Sequence, residues 1–318
     1  MGGSDANQRD ELQVVPAQVY ELDEGLALAF GHLPPAERIA RIEAASRAAS
    51  EANQGGQLWV ARQGSALCGA VWIALHGVDS ATLAEPRIAP GAAPDTSKRL
   101  LSAALASLET RGVRWVQALI EPDSESIAEP FRACGFRHVC DLVYLASERR
   151  SFPSKRPISI LEFVPCPFEM HRRLTAAVEQ TYQGSLDCPG VGESRAAADL
   201  LASYQTAGPF DPARWLLVRS AGHDVGCLLL ANHSDTNQWE VQYMGLGSQW
   251  RGKGWGLAIL RHAQWLTTLA GRARLTSAVD ANNGPALRIY DAAGFVEWNR
   301  RRVLVRTLGE KPRQLGIS

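Results

Sequence analysis

The sequence repeats itself once, and this internal repeat constrains the fold more than any other feature. The segment Arg132-Ala-Cys-Gly-Phe136 resembles Asp291-Ala-Ala-Gly-Phe295, and the offset of 159 positions is half of the 318-residue chain. With an offset smaller by two residues, residues 57–75 also resemble residues 214–232. Self-similarity at a fixed period indicates a repeated architecture. We therefore predict one domain of roughly 150 residues present twice and joined near the polar, proline-containing segment 151–157.

Each half has the same order of predicted elements. Helical material comes first, at 35–53 in one half and at 167–183 and 193–206 in the other. A hairpin of two apolar strands follows, then a strand, a helix, a strand, a short helix that ends at glycine, and a final apolar run. A strand–helix–strand succession favours a right-handed crossover with parallel pairing. We predict the α+β class: two tandem domains, 1–152 and 158–318, each a mixed, mostly antiparallel sheet with helices on both faces.

Charge and hydropathy exclude several classes of protein. The 33 basic and 33 acidic side chains give a formal net charge of +0. This balance argues against nucleic acid as a partner, because nucleic acids are usually bound by a basic surplus. No run approaches the ~18 apolar residues of a membrane span, and the first residues lack the apolar core of a signal peptide. We expect a soluble cytoplasmic monomer or homodimer with neither a nucleic-acid nor a membrane partner.

The cysteines and histidines give no sign of a metal site. The six cysteines are scattered without a C-x-x-C pair, and the seven histidines lack the spacing of metal ligands. In a chain of this length such cysteines are typical of reduced cytoplasmic thiols rather than of a disulfide framework. We expect no bound metal, and we expect Cys227, which lies in an apolar strand, to be an inert small hydrophobe.

The glycine-rich segment 238–260 predicts a binding site for an anion. It contains R-x-x-G-x-G, formed by Arg251, Gly254 and Gly256, between a predicted strand and a predicted helix. Glycines allow a tight turn that aims N–H groups at an anion near a helix N-terminus, and Arg251 and Lys253 add positive charge. The P-loop pattern and the dinucleotide pattern with a downstream acidic residue are both absent. A plain surface loop is the alternative interpretation.

A second motif follows downstream, where Asn283, Ala286 and Tyr290 form N-x-x-A-x-x-x-Y between a strand end and a short helix closed by Gly294. In this order and spacing the two motifs resemble the GNAT superfamily of acetyl-CoA-dependent N-acetyltransferases. The resemblance covers roughly residues 160–310 and extends more faintly to the first half through the repeat. The two-domain arrangement is similar to that of tandem GNAT proteins such as mycothiol synthase.

The resemblance implies acetyl-CoA as the cofactor and coenzyme A as the product. The main chain of residues 244–246 would pair with the pantetheine arm, residues 251–257 would hold the pyrophosphate, and Asn283 would bind the cofactor near its thioester. The implied cofactor-binding residues are Met244, Gly245, Leu246, Arg251, Gly252, Lys253, Gly254, Trp255, Gly256, Leu257, Asn283 and Ala286.

The resemblance also implies that a primary amine of a small molecule attacks the thioester directly. Tyr290 would protonate the leaving thiolate, and Glu240 would accept a proton from the ammonium. Asp187 and Glu193, between two predicted helices, would hold a cationic acceptor. Each has a structural alternative: Tyr290 as plain core, Glu240 as an exposed or ion-paired carboxylate, and the two acidic residues as part of a solvated loop. The alternative function is a catalytically silent acyl-CoA-binding or protein-interaction module.

The first half has lost both motifs. At the offset of 159, the positions facing Arg251, Gly254, Gly256, Asn283 and Tyr290 are Ala92, Asp95, Ser97, Ser124 and Phe131. A carboxylate at Asp95 would repel a pyrophosphate, and Pro94 lacks an N–H donor. We therefore predict a single working site, in the second half.

Overall fold

The structure, a computed structural model, describes residues 11–50, 55–77, 79–167, 170–188, 196–206, 210–234 and 236–309. The chain forms two compact units. Unit 1 comprises Met1–His138 together with Arg302–Ser318, and unit 2 comprises Val139–Arg301. Among the described helices, none is both long and apolar enough to cross a membrane.

Unit 1 is a mixed sheet with helices on both faces. Its strands are β1 (Leu12–Pro16), β2 (Gly56–Gln63), β3 (Ala66–His76), β4 (Ser80–Leu83), β5 (Arg87–Ile88), β6 (Trp115–Ile120) and residues 302–307 of β13 (Val296–Thr307). Its helices are α1 (Leu22–Phe30), α2 (Pro35–Ser50), α3 (Thr96–Thr110) and α4 (Glu125–Ala133). The strand order is β1-β2-β3-β4-β6-β13, with β5 paired to β3, and only the β4–β6 pair in this order is parallel.

Alternate side chains of the unit 1 strands point to opposite faces. In β2, Leu58 and Val60 pack in the cluster that contains α1 and α2, whereas Trp59 and Ala61 pack in the cluster that contains α3 and α4. The apolar residues of α3 at helical spacing are all buried, namely Leu100, Leu101, Ala104, Leu105 and Leu108. Both faces of the sheet are therefore covered by helices.

Unit 2 repeats this plan. Its strands are residues 139–148 of β7 (Arg137–Glu148), β8 (Glu162–Pro165), β9 (Trp215–Ser220), β10 (His223–His233), β11 (Gln238–Leu246) and β12 (Arg274–Asp280). Its helices are α5 (His171–Tyr182), α6 (Ala197–Thr206), α7 (Trp255–Leu269) and α8 (Gly284–Ala292). The strand order is β7-β12-β11-β10-β9-β8, and only the β11–β12 pair in this order is parallel. One hydrophobic cluster joins α5 and α6 to the sheet, and another joins α7 and α8 to its other face.

The element boundaries confirm the internal repeat. Helices α3 and α7 start at positions separated by the same offset as the repeated motif, and so do strands β6 and β12 and helices α4 and α8. Strands β3 and β10 have equal lengths and follow the offset that is smaller by two, as expected from the upstream resemblance. The mixed sheets with helices on both faces confirm the predicted fold class.

The two units do not coincide with the two halves of the sequence. The predicted boundaries, 1–152 and 158–318, follow the repeat, whereas the units exchange their last strands. Residues 142–148 of β7 pair with β12 in unit 2, and residues 302–307 of β13 pair with β6 in unit 1. The apolar side chains of each strand are buried in the unit with which the strand pairs. Val143 and Leu145 of β7 lie in a core cluster of unit 2, and Leu304 of β13 lies in a core cluster of unit 1.

Candidate active site

Strands β11 and β12 diverge and open a cavity in unit 2. Their parallel pairing joins residues 238–241 to residues 274–277, and β11 then continues to Leu246 beside β10. The register of β10 against β11 shifts at this point and leaves Gln242 without an opposite partner. Such a bulge bends a strand and re-aims its side chains. The cavity has a volume of about 560 Å³, which is within the usual range for a small-molecule site.

Most of the predicted site residues line this cavity. They are Asp187, Met244, Gly245, Leu246, Arg251, Gly252, Gly254, Trp255, Gly256, Leu257, Asn283, Ala286 and Tyr290. Glu240 and Lys253 are not among the lining residues, and Glu193 lies outside the described residues. Sequence reasoning missed Thr181, Tyr243, Ser277 and Arg288, which also line the cavity. No motif marks these four positions; only the topology brings them to the cleft.

The glycine-rich turn has the backbone conformation that its sequence requires. Gly252 and Gly254 have φ angles of +77° and +73°, in the left-handed region that favours glycine. Gly254 is the N-cap residue of α7. The first backbone N–H groups of a helix have no acceptor within the helix, and the helix dipole makes this end electropositive. The turn therefore presents the start of α7 to the cavity as a place for an anion.

The Arg251 side chain has a structural role that the sequence did not indicate. Its guanidinium donates to three backbone carbonyls: Leu246 at 3.1 Å, Gly184 at 2.7 Å and Thr181 at 2.7 Å. These bonds join the end of β11 to the end of α5 and the residues that follow it. Arg251 also lines the cavity, and its role in holding a pyrophosphate stays a prediction.

The Lys253 ammonium lies against two tryptophan rings beside the turn. Its Nζ is 4.6 Å from the ring centroid of Trp250 and 5.0 Å from that of Trp255. The two rings are stacked, with centroids 5.8 Å apart. Cation–π attraction of this kind holds an ammonium in place. Lys253 therefore contributes a positive charge near the turn without lining the cavity.

Tyr290 is a buried phenol that lines the cavity. Its side chain is 4% exposed, and its hydroxyl lies 2.9 Å from Ser277 Oγ. The Ser277 hydroxyl in turn donates to the Val241 carbonyl at 3.2 Å. Burial raises the pKa of Tyr290 well above its usual range, the Ser277 bond opposes this shift, and the negative charges of Asp187 and Glu240 add to it. The phenol thus stays protonated at neutral pH, as a proton donor must.

Glu240 makes a hydrogen-bond contact with His233 and does not line the cavity. Its carboxylate lies 2.8 Å from the His233 ring Nε2, and its side chain is 35% exposed. These features match the ion-paired carboxylate that was the alternative interpretation of Glu240. Its charge nevertheless acts on the pKa of Tyr290, so the two side chains are close enough to influence each other.

Asp187 also lines the cavity and is tied to the end of β12. Its carboxylate accepts a hydrogen bond from the backbone N–H of Asp280 at 3.1 Å, and the Asn283 side chain donates to it as well. The Asn283 side-chain oxygen accepts from Ala286 N–H at 3.2 Å and caps α8. Burial raises the pKa of Asp187, and the neighbouring Asp280 charge raises it further. Asp187 is thus a fixed, partly buried carboxylate facing the cavity.

The structure contradicts the expectation that all six cysteines are reduced thiols. Cys140 and Cys188 form a disulfide, across a sequence separation of 48. The other four are free and buried. Cys227 is fully buried, and desolvation raises its pKa to about 12, as expected of an inert thiol. The scattered spacing gave no signal for the disulfide, because the fold alone brings β7 next to the residues that follow α5.

Among the described residues, the corresponding region of unit 1 lacks the glycine turn and the buried phenol. The N-cap residue of α3 is Asp95 with φ −88°, where α7 has a left-handed glycine. Phe131 takes the place of Tyr290 and packs edge-on against Phe136 with ring centroids 5.2 Å apart, as Tyr290 does against Phe295 at 5.0 Å. The ring contact is retained in unit 1, whereas the hydroxyl and the glycine turn are lost.

Comparison with solved structures identifies the fold. An N-acetyltransferase of the GCN5-related type from Sphaerobacter thermophilus has a TM-score of 0.63 at 18% identity, over 93% of this chain and 95% of that chain. A tandem GNAT protein from the clavulanic acid biosynthesis pathway has a TM-score of 0.56 at 16% identity, over 95% and 100%. A glucosamine N-acetyltransferase region of a fungal multi-domain β-N-acetylglucosaminidase reaches 0.66 at 18%, over 93% of this chain but 38% of the fungal chain. These similarities establish a tandem GNAT fold.

The sequence of unit 2 is similar to a known family. Residues 178–295 match the model of the Acetyltransferase (GNAT) family. A search of curated proteins found no match to the chain. The matched residues lie within unit 2 and include the end of α5, the residues that line the cavity and α8. This similarity and the fold support acyl-CoA-dependent acetyl transfer as the general activity.

Proposed function

We propose that the protein is an acetyl-CoA-dependent N-acetyltransferase that acts in the cytoplasm on a primary amine of a small molecule, with one site, in unit 2. The observation that carries this proposal is the composition of one cavity. The cavity joins the glycine turn at the start of α7, the diverging strand β11 and the buried, protonated phenol of Tyr290. Acetyl transfer from a thioester of coenzyme A would use all three: an anion site for the pyrophosphate, a strand edge for the pantetheine arm and an acid for the leaving thiolate.

The lining residues fit acetyl-CoA along the length of the cavity. The first turn of α7, with Gly252 and Gly254 before it, would hold the pyrophosphate through backbone N–H groups. The main chain of residues 244–246 faces the gap left by β12 and would pair with the amides of the pantetheine arm. Ala286 and Asn283 would border its thioester end. The thioester would supply an activated acetyl group in a site that holds it beside Tyr290.

The chemistry needs one proton donor and one proton acceptor. The amine nitrogen would attack the thioester carbonyl carbon, the carbon–sulfur bond would break, and Tyr290 would give its proton to the departing thiolate. Glu240, held by His233, would first take a proton from the ammonium form of the acceptor, directly or through water, because only the neutral amine can attack. The proton that the nitrogen then loses as the amide forms would replace the one that Tyr290 gives to the thiolate. Asp187 on the cavity wall would attract a cationic acceptor.

An amine panel tests the proposal. We expect acetyl-CoA to release free coenzyme A faster with at least one small primary amine than without any amine, as followed by a thiol reagent. An acetylated amine of the matching mass should appear in equal amount. Binding of acetyl-CoA with no amine-dependent release across the panel would instead make the chain a silent acyl-CoA-binding module.

Glu240→Gln should slow turnover mainly at the acidic end of the working range. An amine is increasingly protonated as the pH falls, so a base matters most there, and the defect should approach about a hundredfold and shrink as the pH rises. The pH profile of kcat/KM measures this. Glu162→Gln, which alters an exposed carboxylate of β8 paired with Arg219, is the matched control and should leave the profile unchanged. Parallel profiles for Glu240→Gln and the wild type would make Glu240 structural.

A further inference from the structure

We infer that the Cys140–Cys188 disulfide positions Asp187 against the acceptor, so that reduction of this bond weakens acceptor binding while leaving the cofactor site intact. The inference rests on the proposed function, because it assigns the acceptor side of the same cavity. The main observation behind it is that the disulfide joins β7, the strand next to β12, to the residue that directly follows Asp187.

The disulfide lies at the end of a run of cavity-lining residues. Residues 184–187 follow α5 and all line the cavity. Cys188 comes next, and Cys140 belongs to β7, where it is 2% exposed. The covalent bond therefore anchors the far end of this run, which we name the acceptor segment (184–188), to the sheet of unit 2.

Hydrogen bonds lock the acceptor segment to the same place. The Cys188 N–H donates to Asp280 Oδ2 at 3.0 Å, and the Asp280 N–H donates to Asp187 Oδ1 at 3.1 Å. The other carboxylate oxygen of Asp280 accepts from Asn282 N–H at 2.8 Å. Since Asp280 is 2% exposed, these bonds are shielded from water and fix the direction of the Asp187 side chain.

Two features oppose this arrangement and make the covalent bond necessary. Cys188 has a φ angle of +41°, a left-handed conformation that is unfavourable for a residue with a Cβ and persists only where its surroundings hold it. In addition, the negative charge of Asp280 opposes the negative charge of the Asp187 carboxylate and raises the pKa of Asp187. Without the disulfide, both effects favour release of Asp187 from the wall of the cavity.

The start of the acceptor segment is held independently of the disulfide. Arg251 donates to the carbonyls of Gly184 and Thr181, so reduction would free the end near Asp187 and leave the end near the glycine turn in place. The response should therefore be confined to the acceptor. Disulfides in reducing compartments are usually transient, catalytic or redox-sensing, which fits a bond that governs substrate binding.

The redox step needs a thiol reductant of the dithiol class. The two thiols of the reductant lose two protons and two electrons and form a cyclic disulfide. The Cys140–Cys188 bond accepts them and becomes two thiols. Exchange with an added disulfide such as oxidised glutathione reverses this step: the two thiols lose two protons and two electrons, and the added disulfide takes them up and becomes two thiols. The effect on acceptor binding should therefore be reversible.

Steady-state kinetics with the best amine of the panel tests the inference. Protein is first prepared without reductant and then treated with dithiothreitol. The treatment should raise the KM for the amine about tenfold, which is the scale of one lost hydrogen bond to a charged group. The kcat and the acetyl-CoA Kd should stay within about twofold, because the disulfide does not hold the glycine turn and Asn283 keeps its bond to Ala286 N–H. Removal of dithiothreitol and reoxidation should restore the low KM. Intact mass under non-reducing conditions reports whether the two hydrogen atoms have been gained.

Variants distinguish a specific effect of the disulfide on the position of Asp187 from a general loosening of unit 2. Cys140→Ser/Cys188→Ser should have the high KM with and without dithiothreitol. Asp187→Asn should have a high KM that reduction no longer changes, because both alterations remove the same interaction. Cys134→Ser, which alters a buried free thiol of unit 1, is the matched control and should respond to dithiothreitol like the wild type.

Hydrogen–deuterium exchange gives a readout that does not need turnover. Reduction should speed exchange in peptides covering 184–188 and leave peptides covering 251–257 unchanged. If no amine is turned over, the proposed function fails, yet this measurement still decides whether the disulfide holds the segment. An unchanged KM together with unchanged exchange would overturn the inference. Recovery of the low KM when Zn²⁺ is added to reduced protein would also overturn it, since the thiols and Asp280, whose ligand atoms lie within 4.8 Å, would then act as a metal site.

Discussion

Gly254→Asp is expected to abolish acetyl-CoA binding. The substitution places a carboxylate and a Cβ on a residue with φ +73°, at the N-terminus of α7 where the pyrophosphate would lie. Charge repulsion and the distorted turn should together weaken binding by at least about a hundredfold, because each tenfold loss of affinity corresponds to ~1.4 kcal/mol. Calorimetric titration should give one acetyl-CoA per wild-type chain and none per variant chain. The thermal stabilisation by acetyl-CoA should vanish in parallel, because that stabilisation depends on binding to the native state.

The chain supplies a matched control for this substitution at the other end of α7. Gly271 has φ +71°, and a Cβ there would meet nothing within 4 Å, as at Gly254. Gly271→Asp therefore introduces the same backbone strain and the same charge away from the cavity, and it should leave the titration unchanged. Unit 1 already has aspartate at the matching N-cap position, Asp95, so we expect no second site. A full thermal shift in the Gly254→Asp protein, or two equivalent sites per chain, would refute the assignment of the anion site.

Tyr290→Phe should reduce turnover about a hundredfold, the usual scale for a positioned proton donor, and should leave acetyl-CoA binding unchanged. The variant loses only the hydroxyl that bonds Ser277. Phe131 in unit 1 shows that a phenylalanine ring fits this packing, since its edge-on contact with Phe136 matches that of Tyr290 with Phe295. Single-turnover measurement of coenzyme A release, with calorimetric binding in parallel, separates chemistry from affinity.

The pKa of Tyr290 sharpens this test. Because burial raises that pKa, the phenol of the wild type remains protonated across the neutral and mildly alkaline range. The defect of Tyr290→Phe should therefore be nearly constant from about pH 6 to about pH 9. Tyr204→Phe, which alters a ring stacked 6.3 Å from Tyr243 in a different cluster, should have no comparable effect. Equal turnover in Tyr290→Phe and wild type would make Tyr290 a core residue.

The sequence predicted those features that depend on local chemistry. The turn at Gly252 and Gly254 was predictable because a left-handed backbone requires glycine. The position of α3 was predictable because its apolar side chains recur at helical spacing. Helix α2 was predicted at 35–53 and is observed at Pro35–Ser50 within the described residues. The helix α1, at Leu22–Phe30, was missed although four of its residues are buried.

The features that depend on long-range placement were not predictable. Strands β7 and β13 start at positions separated by the repeat offset and are equivalent in the repeat, so their pattern cannot say which sheet each one completes. The Cys140–Cys188 disulfide depends on that exchange, because it needs β7 beside β12. The three carbonyl partners of Arg251 likewise come from two separate segments. The motif therefore marks Arg251, whereas only the fold shows which carbonyls its guanidinium contacts.

Because of the exchanged strands, only one of the two units is formed by a continuous stretch of the chain. Unit 2 runs without a break from Val139 to Arg301, whereas unit 1 is made of both ends of the chain. In connectivity, unit 2 is therefore an insertion within unit 1, although in sequence the two are consecutive copies. A cut at 151–157 would remove residues 139–148 from unit 2 and leave one side of β12 unpaired. The boundaries suited to excising unit 2 therefore lie inside strands, between residues 138 and 139 of β7 and between residues 301 and 302 of β13.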